Sequence, residues 1–395
     1  MQSTVATRTA LPASVWALGF VSLFMDVSSE LIHSLLPVFI VGTLGAGAVA
    51  LGLIEGVAEA TASIVKVFSG ALSDRIGKRK PLLLLGYGLA AFTKPLFPLA
   101  GSTATVFIAR FIDRVGKGIR GAPRDALVAD CTTPEQRGAA YGLRQSLDTV
   151  GAFMGPLMAI ALLALLANNV RAVFWVAVIP AFIAVAILWV AIKEPEHAPS
   201  ARKRIVDLHP RELPKAFWML TTIAGFFTLA RFSEAFLVLR GANVGLPLTW
   251  TPLVLVIMNV AYMASAYPVG RLADRLSRVH LLMVGCGVLI VANLVLAWAP
   301  NTIVALVGVL LWGLHMGFTE GVFAAMVAAA APDHLRGTAF GVFNLLRGVL
   351  LLLASVIAGL LWDVVGAAAT FQAAAALAGI SLVLMRMVRG WTGSP

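Results

Sequence analysis

Carboxylate side chains stand inside long apolar stretches of this sequence, where a charge is costly and usually faces a cavity. Asp26 and Glu30 are four residues apart, so a helix would place both on one face. Glu55 and Glu59 repeat this spacing in the next apolar stretch. A carboxylate near the middle of a membrane can bind and release a proton when its surroundings change. We predict that Asp26 or Glu30 is a proton-coupling acid, with Arg114 as its partner. Na⁺ is the alternative ion, since carboxylates also bind it.

A stripe of charge runs along a later apolar stretch. Its members are spaced by three, one, three and three residues, which keeps them on one helix face: Arg110, Asp113, Arg114, Lys117 and Arg120. Such a face cannot look into lipid, so it must meet water or counter-charges. We predict that the stripe lines a substrate cavity together with other intramembrane polar residues: Arg144, Asp148, Arg231, Glu234, His315 and Glu320. A structural network of ion pairs is the alternative, because the intramembrane acids and bases of the first half nearly balance.

The composition excludes a soluble protein. Of the 395 residues, 59% are hydrophobic and 12% are charged, against about 25% charged in ordinary soluble domains. A membrane-crossing helix needs about 20 apolar residues. Twelve stretches meet this length: 13–41, 48–69, 81–100, 103–123, 138–166, 170–192, 214–239, 248–269, 279–298, 302–330, 338–362 and 367–388. We predict an all-α polytopic membrane protein with twelve transmembrane helices. The two cysteines, Cys131 and Cys286, are too few for a disulfide framework or a metal cluster.

Lysine and arginine are distributed unevenly among the polar segments. They gather at the two termini and in the loops after even-numbered stretches, whereas the other loops hold only Arg171 and Arg240. Basic residues accumulate on the cytoplasmic side of membrane proteins. We therefore predict a multi-pass protein of the bacterial inner membrane with both termini in the cytoplasm. The net charge of +11 would then face anionic lipid of the bilayer, and no nucleic-acid partner is expected.

The chain divides into two halves that repeat each other. The longest polar segment, 193–213, predicts a cytoplasmic linker between an N-terminal six-helix bundle at 1–192 and a C-terminal one at 214–395. The loop segment GALSDR at 70–75 recurs as GRLADR at 270–275, an offset of 200 residues. A duplication of six stretches keeps the topology, so we expect two bundles related by a pseudo-two-fold axis along the membrane normal.

The repeated loop resembles the signature motif of the major facilitator superfamily, G-x-L-x-D-R-x-G-R/K-R/K. The first copy matches from Gly70 to Lys80, and the second is degraded, with Ser277 at its second glycine. The segment GAFMGP at 151–156 is similar to the G-x-x-x-G-P core of the antiporter motif of that family. The resemblance covers essentially the whole chain. It implies a central cavity lined by the first, fourth, seventh and tenth spans, which here carry intramembrane charge.

The resemblance also implies roles for these motifs. The loop motifs are expected to form a gating latch between the halves through Gly70, Asp74, Arg75, Gly77, Arg79, Asp274 and Arg275. Antiport is expected from Gly151, Gly155 and Pro156. A member of this family works as a monomer, by alternating access, with the proton gradient as its energy source and no cofactor.

The function predicted from these residues is secondary active transport, with proton-coupled export of a small organic compound or drug. The nucleotide-binding pattern G-x-x-x-x-G-K-[ST] does not occur, which disfavours an ATP-driven pump. The hydrolase patterns H-E-x-x-H and G-x-S-x-G are also absent, so no enzyme is expected. Two alternatives stay open. The cationic stripe could attract an anionic metabolite or siderophore for uptake, and the intramembrane acids could hold a cationic drug or a metal ion for export.

Overall fold

The computed structural model describes the chain in five segments, which are residues 11–133, 136–192, 212–273, 275–332 and 335–388. Residues 193–211 of the predicted linker and Asp274 of the second loop motif lie outside the described residues.

The described residues form α-helices joined by short turns. In chain order they are α1 (Ala13–His33), α2 (Leu36–Val38), α3 (Ala48–Ile76), α4 (Lys80–Thr93), α5 (Leu96–Leu99), α6 (Thr103–Asp130), α7 (Arg137–Leu165), α8 (Val170–Ala191), α9 (Lys215–Leu229), α10 (Ala235–Asn243), α11 (Leu253–Ala273), α12 (Arg278–Ala297), α13 (Thr302–Ala330), α14 (Arg336–Val364) and α15 (Ala367–Val388). One π-helical turn (Phe39–Thr43) follows α2, and a 3₁₀ turn (Leu248–Trp250) precedes α11.

The helices have the length and composition of membrane spans. Among the described residues, ten helical segments are long and apolar enough to cross a bilayer. Helix α6 is also long, at 28 residues, but its stripe of charge lowers its hydropathy. The remaining predicted span, the seventh, is broken into α9 and α10. The predicted all-α membrane fold is therefore confirmed.

The break in the seventh span corrects the continuous helix that the sequence predicts at 214–239. Residues 230–234 are not helical, although this segment contains neither proline nor glycine. Side-chain oxygens replace the missing helical acceptors at this point. The N–H of Ser233 donates to Ser355 Oγ (3.1 Å), and the N–H of Ala235 donates to Ser233 Oγ (3.3 Å). The break thereby places a helix N-terminus and Glu234 in the interior of the protein.

The two predicted halves, which hold α1–α8 and α9–α15, meet along two seams. Helix α3 packs along α14, and α7 packs against α11. Small residues allow α3 and α14 to approach each other closely. A Cβ atom at Gly56 would lie 2.8 Å from Leu352 Cδ1, and one at Gly359 would lie 2.7 Å from Val49 Cα. These separations are below ordinary carbon contacts, so each glycine is required by the approach of the other helix.

The two ends of the bundle differ in how the halves are joined. We call the end with the Gly77 loop the basic face and the other end the opposite face. The hydrogen bonds between halves that the structure describes lie at the opposite face, where α2 also touches α10. The N–H groups of Ala48 and Val49 donate to Asp363, and Thr249 Oγ1 donates to Asn168 Oδ1 (2.7 Å). The structure is thus closed at the opposite face.

Candidate functional site

Two adjoining cavities lie between the halves. The central cavity, of about 310 Å³, is lined from both halves, and the vestibule, of about 640 Å³, lies beside it. The two share wall residues: Glu30, Glu59, Lys117, Ala152 and Asn259. The vestibule wall continues along α3 to Lys66, about 10 Å beyond Glu59 at 1.5 Å per residue, in the direction of the basic face. The central cavity is therefore approached from that face.

A chain of charged side chains begins in the wall of the central cavity and runs into the first half. We call it the histidine chain: Glu30, His33, Glu55 and Arg110. His33 Nδ1 lies 3.4 Å from Glu30 Oε2, and His33 Nε2 lies 3.4 Å from Glu55 Oε2. Arg110 then holds Glu55 in two hydrogen bonds of 3.1 and 2.8 Å. Glu55 and Arg110 are buried, whereas Glu30 is partly exposed to the cavity.

The local sequence explains why His33 sits at the end of α1. Pro37 has no N–H to donate to the carbonyl of His33 four residues earlier, so the helix is interrupted there. Glu30, three residues before His33, lies on the same face of the last helical turn. His33 is not among the residues predicted from the sequence, although its spacing to Glu30 is a readable signal for it.

The charged stripe of α6 meets acids on α3 and the lysine that follows α4. Besides the pair of Arg110 with Glu55, the stripe forms a second buried pair, in which Lys94 Nζ donates to Asp113 Oδ1 at 2.9 Å. Arg114 lies 3.3 Å from Glu59, so its partner in this conformation is an α3 acid and not Asp26 or Glu30. Arg110 and Asp113 are thus placed in buried pairs, whereas the cavity walls include three other members of the stripe: Arg114, Lys117 and Arg120. The guanidinium of Arg120 also lies over the Tyr87 ring, 4.4 Å from its centroid.

Four charged wall residues of the first half have no ion-pair partner among the described residues: Asp26, Lys66, Lys117 and Arg120. Lys117 is exposed to both cavities, and Asp26 contributes to the vestibule wall. The neighbouring Asp148 is also in the vestibule wall, but it is paired with Arg144 at 2.8 Å and lies 3.6 Å from Arg124. Arg144 is itself largely buried behind Asp148.

The second half contributes a carboxylate held between two arginines. Glu320 on α13 accepts hydrogen bonds from Arg231 and from Arg347, the latter at 2.7 and 3.1 Å. All three side chains line the central cavity, as does Glu234 at the break before α10. Within the described residues Glu234 makes no ion pair. The structure places these four residues together, as the sequence predicts for three of them.

His315 is buried behind the wall of the central cavity. Its ring packs against Trp312 and Phe227, with centroids 5.3 and 6.1 Å away. Neither ring nitrogen has a hydrogen-bond partner among the described residues. The structure therefore places His315 in an aromatic cluster behind the cavity.

The first loop motif makes its described contacts inside the first half. Arg79 Nη1 donates to Asp74 at 2.6 Å, and Arg79 Nε lies 3.4 Å from Asp130 at the end of α6. Gly77 ends α3 with φ of 68°, the left-handed conformation that favours glycine at this position. Gly70 lies beside α6, with its Cβ position 3.2 Å from Ala122 Cβ. Arg75 and Arg275 are exposed.

The antiporter-like glycines pack directly against the acid-bearing face of α1. A Cβ at Gly151 would lie 3.0 Å from Asp26 Cβ, and one at Gly155 would lie 2.8 Å from Glu30 Cβ. Pro156 follows within α7. The motif thus sets the distance between α7 and the two acids predicted to carry the coupling proton.

Comparison with known proteins places this architecture in a family. The sequence profile of the Major Facilitator Superfamily matches residues 18–355. The MFS-type transporter MJ1317 of Methanocaldococcus jannaschii is 30% identical over 384 residues, covering 96% of this chain and 95% of its own. Multidrug resistance protein MdtH of Yersinia enterocolitica is 30% identical over 154 residues, 38% of each chain.

The fold is also that of a solved transporter. A bacterial homologue of the human lysosomal transporter Spinster, in an inward-facing and occupied conformation, matches with a TM-score of 0.76. The match covers 95% of this chain and 96% of that one, at 16% identity. With a profile match over most of its length and a relative that is similar nearly end to end, this chain belongs to the Major Facilitator Superfamily of membrane transporters.

Proposed function

We propose that this transporter is a proton-coupled antiporter that exports a small organic compound by alternating access. The observation that carries the proposal is the histidine chain, because it links the cavity wall to a titratable ring held between two carboxylates. The coupling assignment keeps the acids of α1, Asp26 and Glu30, and adds His33 between Glu30 and Glu55.

The chemistry of His33 supports a proton-dependent change at the cavity wall. Both ring nitrogens face carboxylate oxygens, and only a doubly protonated ring can donate to both. When one proton leaves, a nitrogen lone pair faces a carboxylate oxygen and that contact becomes repulsive. Glu30 is then free to turn toward the cavity or the vestibule, both of which it lines. Proton release and a change in the wall are thereby linked.

Alternating access is supported by the asymmetry of the two faces. The described hydrogen bonds between halves lie at the opposite face, and the vestibule extends toward the basic face. If the basic face is cytoplasmic, as the distribution of lysine and arginine predicts, this conformation receives solute from the cell interior. Release to the outside then requires the contacts at the opposite face to break.

Export, rather than uptake, is favoured by the packing of the antiporter-like motif. Gly151 and Gly155 lie against the helix that carries Asp26 and Glu30. The similarity to a multidrug resistance protein points in the same direction, over a part of the chain. Uptake of an anion draws less support, because Arg110 and Arg114 are paired with Glu55 and Glu59, so only Lys117 and Arg120 of the stripe lack an acidic partner among the described residues.

The proposal is tested in everted membrane vesicles that acidify their interior by respiration, with an acridine dye reporting the pH gradient. The probes are ethidium and any compound against which the overproduced protein protects a susceptible host. Addition of a transported compound should release the gradient as protons leave. The double variant Asp26→Asn, Glu30→Gln and the single variant His33→Asn should lose this release but keep exchange of labelled compound for unlabelled compound.

The matched control is His280→Asn, which changes an exposed histidine on α12 and should behave as the native protein. Proton release that is unchanged in the double variant and in His33→Asn would overturn the coupling assignment. A native protein that protects the host but never releases the gradient would overturn antiport.

A further inference from the structure

Lys117 and Glu234 stand out in the central cavity because neither has an ion-pair partner among the described residues. The other charged wall residues have an ion-pair partner within 4 Å. Lys117 comes from α6 in the first half, and Glu234 comes from the break before α10 in the second half. A free cation and a free anion therefore share one cavity, one from each half.

Counted together with Lys117 and Glu234, the charges are balanced inside each half once His33 has released its proton. In the first half, Glu30, Glu55 and Glu59 of the cavity wall are then matched in number by Arg114 and Lys117 of the wall and by Arg110, which pairs with Glu55. In the second half, Glu234 and Glu320 are matched by Arg231 and Arg347. A solute with a net charge would upset this balance at a depth where an unpaired charge is costly. A solute with one positive and one negative group would keep it.

Apolar surface lies beside Glu234. Four phenylalanines of the second half line the same cavity: Phe227, Phe232, Phe323 and Phe343. The apolar part of a solute can pack against these rings. The faces of aromatic rings also attract a cationic group, such as one held at Glu234. The wall near Lys117 is more polar, with Glu59 and Arg114 in their ion pair.

We propose that the central cavity binds a small zwitterion with an apolar body, its anionic group at Lys117 and its cationic group at Glu234. Such a solute joins the two halves electrostatically, which a solute with a single charge cannot do through these two residues. The inference rests on the proposed function in taking this cavity as the transport site.

The test is equilibrium binding to the purified protein in lipid nanodiscs, with two matched sets of probes. The first set is L-phenylalanine, phenethylamine and 3-phenylpropionate, and the second is 6-aminohexanoate, hexylamine and hexanoate. Each set holds one zwitterion and the two analogues that lack one of its charges, and the sets differ in charge separation. In at least one set, the dissociation constant of the zwitterion should be lower than that of either analogue by about tenfold or more.

Charge-neutral variants assign the two ends. Lys117→Gln should lower the affinity for the zwitterion to that for the amine analogue. Glu234→Gln should lower it to the affinity for the carboxylate analogue. Lys117→Arg and Glu234→Asp keep the charges and should keep the preference, which separates charge from folding. Lys215→Gln, at an exposed lysine that begins α9, is the matched control.

Failure of both zwitterions to bind, binding of a singly charged analogue as tightly as its zwitterion, or a preference that survives both neutral variants would overturn the inference. Because no gradient is present in this measurement, its outcome is independent of proton coupling. If the protein couples protons but prefers singly charged solutes, the proposed function stands and the zwitterionic substrate class is wrong.

Discussion

The carboxylate of Asp363, near the end of α14, accepts the backbone N–H of Ala48 at the start of α3 over 2.9 Å. Its second oxygen accepts the N–H of Val49 at the same distance. A side chain of the second half therefore caps a helix of the first half, where a negative charge is favoured. These two hydrogen bonds close the opposite face and have to break before that face can open.

Asp363→Asn should shift the protein toward the state that is open at the opposite face. The amide has one acceptor oxygen where the carboxylate has two, and it carries no charge for the helix terminus. Loss of a cap costs about 1 kcal/mol, or roughly fivefold in the ratio of the two states. Spin labels at positions 101 and 298, one in each half at that face, report the change as a larger fraction of long distances. An unchanged distance distribution would contradict the role of Asp363. Asn169→Ala is the control, because it removes a helix cap at the same face that lies wholly within the first half.

Asp74→Asn should slow transport and leave equilibrium solute binding intact. Asp74 contacts Arg79 at the basic face and is 54% exposed, remote from the wall of the central cavity. This contact lies within the first half, so the latch across the halves stays a prediction. Initial rates in vesicles and binding to the purified variant are measured side by side. A loss of binding as large as the loss of rate would count against a purely conformational role.

Gly155→Ala should impair proton coupling through a shift of α7 away from α1. The added Cβ would lie 2.8 Å from Glu30 Cβ, and overpacking of this kind typically costs about 1–3 kcal/mol. Gly142→Ala is a matched control on the same helix, since no atom lies within 4 Å of its added Cβ. Release of the pH gradient should fall in the first variant and be retained in the second. Equal behaviour of the two variants would argue that the motif has no part in coupling.

Arg110→Met should strongly destabilise the protein. It leaves Glu55, which is 1% exposed, without its bidentate partner, a loss worth about 3–5 kcal/mol for a buried pair. The double variant with Glu55→Met should recover most of this loss, because no charge is then buried alone. Thermal unfolding in detergent measures both, and Arg75→Met at an exposed site should change little. A double variant no more stable than Arg110→Met would show that Glu55 is stabilised by other groups, such as His33.

Cysteines at positions 117 and 110 should differ sharply in reactivity. In a background without Cys131 and Cys286, a cysteine at 117 should react with a water-soluble thiol reagent supplied at the basic face, because Lys117 is exposed to the cavity. A cysteine at 110 should be protected, since Arg110 is 2% exposed. Transported solute should slow the reaction at 117. If both positions are sealed from both sides, the stripe is a structural network, and Lys117 has to be withdrawn from the solute site.

The sequence predicted the membrane fold because apolar length is a direct physical requirement of a bilayer. It also predicted which residues of α6 share one face, because the helix period decides that. It could not predict which helix meets that face. Arg114 pairs with Glu59 on α3 and not with Asp26 or Glu30 on α1, and this choice depends on how the helices pack.

Two further features had weak or no sequence signal. The break at residues 230–234 contains no proline or glycine, and it depends on the hydroxyls of Ser233 and Ser355, the latter from a helix far along the chain. His33 has a weak signal, because only its spacing to Glu30 can be read from the sequence. Its importance comes from Glu55, which the fold brings to its second ring nitrogen.

The ion pairs of α6 bear on how the chain enters the bilayer during synthesis. A charge at the centre of an isolated helix costs roughly 2.5–3.5 kcal/mol at the translocon, so α6 alone would be rejected by it. Its described partners are Glu55 and Glu59 on α3 and Lys94 at the end of α4, all of which leave the ribosome before α6 does. The order of synthesis therefore supplies counter-charges for Arg110, Asp113 and Arg114 in advance, and α3, α4 and α6 can leave the translocon as one unit with these three pairs formed.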